Sequence, residues 1–508
     1  MALKKHMQKY TDTELREIYR QGEETTVAFM KTLLQRLEAL EHQVEQLTRR
    51  VSKTSRTSSK PPSSDGYAKR QSLRHVSGKP PGREKGHPGD TLEMRATPDD
   101  ILIHRVAENP ATPLCCPCGT PVFVPEGEEF ALSVHLTPER RQVFDLPPPR
   151  LVVVEHRVEV HHCPSCGKEH RGAFPQAVAS PVQFGERFTA AAALVNQHHC
   201  LPVYRSAELL GDLFGHQVSS ATIQAMAART SAAIEPSLAV IKDNLRAAEV
   251  AHADETGAQC EGLLIWLHSL STTFLTYIEP HKKRGSAGFN AIGLLPEFRG
   301  ILAHDCFPPY FALDCEHALC NAHLLRELLA FAQGTPLEAP QVWASDLVGF
   351  LRASWHETKA FREQGVAPSA ERTQAFENEY IRLIQQGLLA HPFQSPSPPT
   401  SAADGKKRRG TGAQSDEHKL LKRLHHWAGA VTRFWYDARV PFDNNQAERD
   451  IRMTKVQQKV SGCFRTFAGA QIFCRIRSYC STVSKHGASR MQELTNALQG
   501  KPFLPTMT

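Results

Sequence analysis

Apolar residues at Met30, Leu33, Leu37, Leu40, Val44, Leu47 and Val51 alternate steps of three and four over three heptads, the spacing of an a/d seam. Residues 11–51 are therefore expected as one helix, either paired with another copy as a short coiled coil or laid as an amphipathic helix on its own chain. The periodicity then breaks. Residues 52–92 are rich in Ser, Pro, Lys, Arg and Gly, with SSKPPSSDG at 58–66, and read as a disordered basic linker. Between 100 and 178 the pattern turns to short β-rich runs such as LVVVEHRVEV at 151–160, framed by cysteine pairs.

Residues 184–248 carry helical patterning. Within them RSAELLGDLFGHQVSSATIQAMAART resembles a helix-turn-helix, with Gly215 in the turn and Ser219 or Ser220 capping the second helix. That second helix has a single cation, Arg229, whereas a recognition helix offers more donors to phosphates and base edges. A plain helical bundle stands equally open. Strand-like runs follow: EVAHA at 249–253, LLIWLHSL at 263–270, FLTYIE at 274–279 and GILAHD at 300–305, with a helical stretch near 286–297. Three strands joined by short turns, a helix and a further strand fit an α/β core of ribonuclease H type within 249–485. From 323 to 440 the chain is mainly helical, interrupted at 393–418 by Pro, Ser, Gly and Lys. Residues 486–508 read as a C-terminal tail.

Length and charge narrow this picture. A chain of 508 residues suggests about three domains with connectors. No apolar run reaches the roughly 18 residues that span a bilayer, and Met-Ala-Leu-Lys-Lys-His at the start has no apolar stretch behind it, so a cytoplasmic protein is expected. The net charge of +7 is modest, but it is clustered: eleven Lys or Arg against three acids between Arg49 and Asp90, and eight against three between Pro441 and Lys485. Two such tracts suit a polyanion partner or, more plainly, a solvated surface.

Thirteen cysteines include two C-x-x-C-G turns, Cys115-Cys116-Pro117-Cys118-Gly119 and Cys163-Pro164-Ser165-Cys166-Gly167. Each such turn supplies two thiolates, and its glycine takes the tight backbone conformation. Cys115, Cys118, Cys163 and Cys166 are the expected Zn²⁺ ligands of a small structural domain at 100–178. Cys116, His161 and His162 stand near as substitutes, and buried thiols without metal are the plainer alternative.

Asp254 stands at the end of an expected strand in His252-Ala253-Asp254-Glu255-Thr256-Gly257, and Asp305 repeats the arrangement at the end of GILAHD before CFPPYF. Two strands ending in aspartate can lie side by side, although acids before glycine are also ordinary turn formers. Glu448 follows Pro441 and the Asp443-Asn444-Asn445 run, read as a helix start and cap. Glu448, Arg452, Lys455 and Lys459 fall on one helical face. A carboxylate followed by cations suits phosphodiester chemistry, in which acids hold metal and cations steady the DNA backbone. The bland reading is a solvated helix with a Glu448–Arg452 ion pair.

The strings SSKPPSSDG, HADETG, HDCFPPYF, CNAHLLRE and PFDNNQAERDIRMTKVQQKVSGCFRTFAGA, with the paired C-x-x-C turns, occur in order over nearly the whole length. In these the chain resembles the transposases of the IS66 insertion-sequence family. The resemblance implies a ribonuclease H-like core of the DDE class, in which Asp254, Asp305 and Glu448 are catalytic and hold Mg²⁺ or Mn²⁺. The helical stretch 323–440 is then an insertion ahead of the glutamate helix. Arg449, Arg452, Lys455, Lys459 and Arg465 become candidates for DNA contact, and Cys320-x-x-His323 a site-supporting element that packs or orients the site, with metal binding at i,i+3 spacing and a plain core role as the alternatives. DNA ends as substrate, a homo-oligomer that bridges them, and small accessory proteins encoded by the element are also implied. The expected activity is cleavage and strand transfer at inverted repeats. A catalytically inactive DNA-binding derivative and a nuclease without strand transfer are the alternatives.

Overall fold

The computed structural model describes residues 11–52, 93–102, 104, 114–115, 121–122, 140–146, 149–334, 341–393 and 414–506. The linker 53–92, Cys116, Cys118 and the polar stretch 394–413 lie outside the described residues. Helix α1 (Asp12–Arg20) opens on a capping box between Thr11 and Glu14, the reciprocal pairing that satisfies two helix-end donors. Helix α2 (Glu23–Ser52) follows. Its seam positions Met30, Leu33, Leu37, Leu40 and Val44 are exposed. No helix among the described residues is long and apolar enough to cross a membrane.

The chain divides into two units, residues 74–153 and the remainder. The first contains the short antiparallel pair β1 (Leu114–Cys115) and β2 (Pro121–Val122), and a clasp in which Gln142 exchanges hydrogen bonds of 2.7 and 2.8 Å with the Arg95 backbone. In the second, β3 (Val160–His162) and β4 (Glu169–Arg171) form a hairpin. The run at 151–160 is not the strand its residues predict. Strand structure begins only at Val160, and Val153 is 90% exposed, because β-propensity needs a pairing edge and a buried face to be realised.

Four helical segments precede the central sheet: α3 (Glu186–Ala193), which runs into a π-helical turn at Leu194–His198, then α4 (Val203–Phe214), α5 (Ser220–Ala233) and α6 (Glu235–Arg246). Gly215 ends α4 at φ +65°, and the Ser219 hydroxyl caps α5 by accepting from Thr222 N–H at 3.1 Å. The local geometry is that of the expected helix-turn-helix. Its second helix, however, buries Ile223, Met226 and Ala227 and packs on α3 and α4, and its one cation, Arg229, pairs with Glu186 at 3.0 Å.

The sheet contains β5 (Val250–Cys260), β6 (Leu263–Ser271), β7 (Thr276–His281), β8 (Ile301–His304) and β9 (Glu316–Leu319), with α7 (Ser286–Ile292) between the third and fourth. The spatial order is β7-β6-β5-β8-β9. β6 runs antiparallel to both β5 and β7, whereas β8 runs parallel to β5 and β9 parallel to β8. Strand β9 has no counterpart in the sequence reading; it has four residues at the sheet edge, half of them exposed or partly so.

After β9 the chain leaves the sheet as α8 (Asn321–Gln333), α9 (Val342–Gln364), α10 (Ala370–Ala390), α11 (Asp416–His426) and α12 (Ala428–Tyr436). This bundle has its own core, which includes Leu328, Trp343, Leu347, Leu383, Leu421 and Phe434. The chain returns as α13 (Asn445–Ser461), packed on β5 and β6, and α14 (Phe467–Lys485), packed on β7. The main core joins Ile241 and Leu245 of α6, Ala251 and Leu302 of the sheet, and Ile476 and Tyr479 of α14. Residues 486–508 are more than a tail: α15 (Arg490–Leu498) packs on α3 and α5, and the Phe503 carbonyl accepts from Ser237 at 2.6 Å.

Candidate active site

Asp254 stands inside β5, not at its end, since the strand continues through Gly257 to Cys260. Gly257, expected in a turn, is an extended strand residue at a close approach: a Cβ there would lie 3.0 Å from Leu264 Cδ1. What stops near Asp254 is the pairing with β8, which covers only Val250–His252. The same parallel register, continued past His304, brings Asp305 level with Asp254. Prolines 308 and 309 carry the chain away from the sheet in a short helical turn, and the Asp305 carboxylate accepts from Phe307 N–H at 2.9 Å.

Helix α13 and its flanks take over the edge of β5 that β8 leaves. Asn444, 2% exposed, donates to the Ala253 carbonyl at 2.7 Å and meets His252 Nδ1 at 2.9 Å. Lys455 Nζ donates to the Gly257 carbonyl at 2.6 Å, and Phe464 N–H to the Gln259 carbonyl at 2.9 Å. Glu448, in the first turn of α13, is thereby carried to the aspartates. Burial raises the Asp254 pKa well above the carboxylate range, and the charges of Glu255, Asp305 and Glu448 raise it further. Asp305 is also raised by burial, against the opposing pull of Phe307 N–H, Arg284 and Arg423. Glu448 is raised by burial, against Arg326 and Arg452. Asp305 and Glu448 are both near enough to act on the charge of Asp254, and all three offer hard oxygen donors of the kind that Mg²⁺ and Mn²⁺ take. Glu448 Oε1 is buried without a hydrogen-bond partner, which leaves an acceptor free for a cation.

The neighbouring acids are already engaged. Glu255, whose side chain is 2% exposed, is held by Arg284 at 2.7 Å and by the Tyr310 hydroxyl. The Arg284 guanidinium is itself sandwiched at 4.6 Å from the Trp266 ring and 3.9 Å from that of Phe307. Asp450 pairs with Lys485 at 2.8 Å, and Lys485 also donates to the carbonyls of Thr272 and Leu275. Asp314 is fully solvated.

Cys320 and His323 join this site from the start of α8. Their ligating atoms and that of Glu448 all lie within 4.8 Å of one another. His323 Nε2 is 3.7 Å from Glu448 Oε1, and burial together with Arg326 lowers the His323 pKa to about 4. Cys320 is buried, and its sulfur accepts from Asn444 N–H at 3.1 Å. Asn444 therefore does not cap α13 with its side chain. It ties together β5, the start of α8 and the start of α13. His252, Arg284 and Asn444 are neighbours of the candidate site to which sequence reasoning gave no part in it; His252 and Asn444 stood within the HADETG and PFDNNQAERDIR strings, and nothing local marked Arg284.

The candidate DNA-contacting cations divide. Arg449, Arg452, Lys459 and Arg465 are exposed, whereas Lys455 is half-buried and bonded across the seam to β5. Of the expected zinc ligands, Cys163 and Cys166 lie in the turn between β3 and β4. Gly167 there adopts φ +72°, and its N–H donates to the Cys163 carbonyl at 2.8 Å. The backbone N–H groups of Cys166 and Ser165 lower the Cys163 pKa. Cys115 lies in β1.

Comparison with known proteins puts the chain among transposases, nucleic-acid-processing enzymes that bind DNA and use divalent metal. The model of the Transposase IS66 family matches residues 181–472, more than half of the chain, and the chain belongs to that family. A second model, described as a family of unknown function, matches residues 9–93. No curated protein matches. Among solved structures, a chain of the simian T-cell lymphotropic virus intasome in complex with PP2A regulatory subunit B56 gamma is similar at 14% identity. That match covers 33% of this chain and 58% of the other, with a TM-score of 0.12.

Proposed function

We propose that this transposase is a DDE-class enzyme with a ribonuclease H-like core, in which Asp254, Asp305 and Glu448 act together on DNA phosphodiesters. The strand order, with three antiparallel strands followed by two parallel to the first, supports the core assignment. The observation that carries the catalytic reading is the β5/β8 register, which aligns Asp254 with Asp305 where pairing stops, with Glu448 close enough to perturb Asp254.

Asp254, Asp305 and Glu448 would hold divalent cations of the Mg²⁺ or Mn²⁺ type, which when bound supply Lewis-acid activation of the attacking oxygen and stabilisation of the leaving oxygen. The protein's own part is positional. Asn444 and Lys455 fasten α13 to β5, so that Glu448 faces the aspartates without rearrangement. Arg284 holds Glu255 apart from the donor set. Arg449, Arg452, Lys459 and Arg465 bind the phosphate backbone and fix its register without reading sequence. Water cuts at the element's end, and the freed 3′-hydroxyl attacks target DNA. The apolar seam of α2 supports pairing of copies that bridge two ends, and the Cys163–Cys166 turn supplies two thiolates to a structural zinc site. The enzyme acts in the cytoplasm, with DNA ends as substrate and element-encoded proteins as companions.

The test uses the full chain with terminal-repeat DNA. Divalent-dependent nicking and joining is expected for the wild type and is absent in Asp305→Asn. Equal activity in that variant overturns the assignment. Cutting without joining of pre-cut ends replaces transposition with simple nuclease function.

A further inference from the structure

The Cys320, His323 and Glu448 cluster combines three kinds of ligand in one place: a sulfur, an imidazole nitrogen and a carboxylate oxygen. Two elements far apart in sequence build it, the start of α8 and the first turn of α13. The 3.7 Å between His323 Nε2 and Glu448 Oε1 is too long for a hydrogen bond. It fits the edge of a tetrahedron around a cation, about 3.3–3.8 Å for bonds of roughly 2.0–2.3 Å.

Two further observations point to a ligand. Glu448 Oε1 is buried without a hydrogen-bond partner, although buried polar atoms in native proteins are nearly always satisfied. The Asn444 N–H aimed at Cys320 Sγ at 3.1 Å is the outer-shell hydrogen bond that steadies a metal-bound thiolate. A mixed S, N, O set suits a borderline-soft ion and not Mg²⁺. Three protein ligands leave one position open, on the side where the Glu448 side chain is 24% exposed.

We infer that Cys320, His323 and Glu448 form a three-ligand site for a thiophilic divalent cation of the Zn²⁺ class, distinct from the oxygen-donor set of Asp254 and Asp305 and sharing Glu448 with it. A cation held here ties the orientation of Glu448 to helix α8. The consequence for catalysis rests on the role proposed above for Glu448, whereas the binding itself does not.

The experiment uses the full-length, reduced, metal-stripped chain titrated with Co²⁺ as a spectroscopic stand-in for Zn²⁺, with thiolate-to-cobalt charge-transfer absorption as the readout. Wild-type protein is expected to bind one equivalent more than Cys320→Ser or His323→Ala. Glu448→Gln weakens that equivalent by about tenfold or more. The Cys163→Ser/Cys166→Ser double variant keeps it, which separates it from the cysteine turns. Asp305→Asn keeps it as well, so the site stands or falls independently of DNA cleavage. Circular dichroism identifies any variant that fails to fold; having two ligand variants keeps the test decisive. Unchanged cobalt binding in both folded Cys320→Ser and folded His323→Ala overturns the proposal.

Discussion

Two carboxylates on α13, one turn from its start, stand in opposite situations. Asp450 faces the sheet and α14, where its charge is matched by Lys485, supported by Gln446 at 3.0 Å and closed off from water. Glu448 faces the aspartates, with an oxygen that nothing satisfies. Buried polar groups are costly unless paired, so the first arrangement belongs to the fold and the second fits the ligand role proposed for Glu448. The same division runs down the helix: Lys455 is bonded into the seam, whereas Arg449, Arg452 and Lys459 point to solvent.

The strongest way to break this contrast is to exchange the consequences of the two acids. Glu448→Gln is expected to reduce divalent-dependent DNA cleavage by about 10³-fold with no fall in melting temperature; a folded variant with wild-type cleavage removes the functional half of the contrast. Asp450→Asn leaves Lys485 buried without its counter-charge and is expected to cost about 3–5 kcal/mol of stability, read by denaturant unfolding. A loss below about 1 kcal/mol there would show the pair to be solvated in practice.

A smaller effect comes from the crowding of the acids. Asp254, Asp305 and Glu448 all have folded-state pKa values raised above the ordinary range, so in metal-free protein the folded state binds more protons than the unfolded one. Their contribution to stability therefore falls as pH rises from the ordinary carboxylate range, about 4, through the raised values. Asp254→Asn removes the most strongly shifted member. Its melting temperature without metal is expected to exceed that of the wild type by about 2 °C at neutral pH, and the gap to close on acidification. A gap that is constant with pH contradicts the crowding. The smallest effect separates the cations. Alanine at Arg449, Arg452, Lys459 or Arg465 should each reduce the salt dependence of DNA binding by about one unit of slope. Lys455→Ala should leave that slope alone and lower the melting temperature; the reverse outcome merges the two faces.

Periodicity made the helices and four of the five core strands legible, because β5 to β8 each include or adjoin an apolar stretch bounded by a turn signal. Strand β9 escaped, since Glu316–Leu319 opens on two polar residues and has only Ala318 and Leu319 to mark it, whereas β8, equally short, opens on Ile301, Leu302 and Ala303. Gly257 misled because a glycine after acids resembles a turn, whereas it is a strand residue approached closely by Leu264. Asn444 resembled a helix cap for the same local reason, although its side chain is committed to a strand 191 positions away. The site was legible as single residues and not as a constellation. Nothing local announces that Cys320 and Asn444, 124 positions apart, are in contact.

That contact makes the span between them a closed loop. The cost of closing a chain grows only with the logarithm of its length, about 0.6 kcal/mol per doubling, and the bundle within it carries its own core. Changes to the bundle that keep Trp355 of α9 stacked on Phe442 and Arg433 of α12 on the His317 carbonyl therefore leave the junction at Asn444 nearly indifferent. Insertions and deletions can accumulate in the excursion wherever those contacts are kept, while the candidate site beside it keeps its shape.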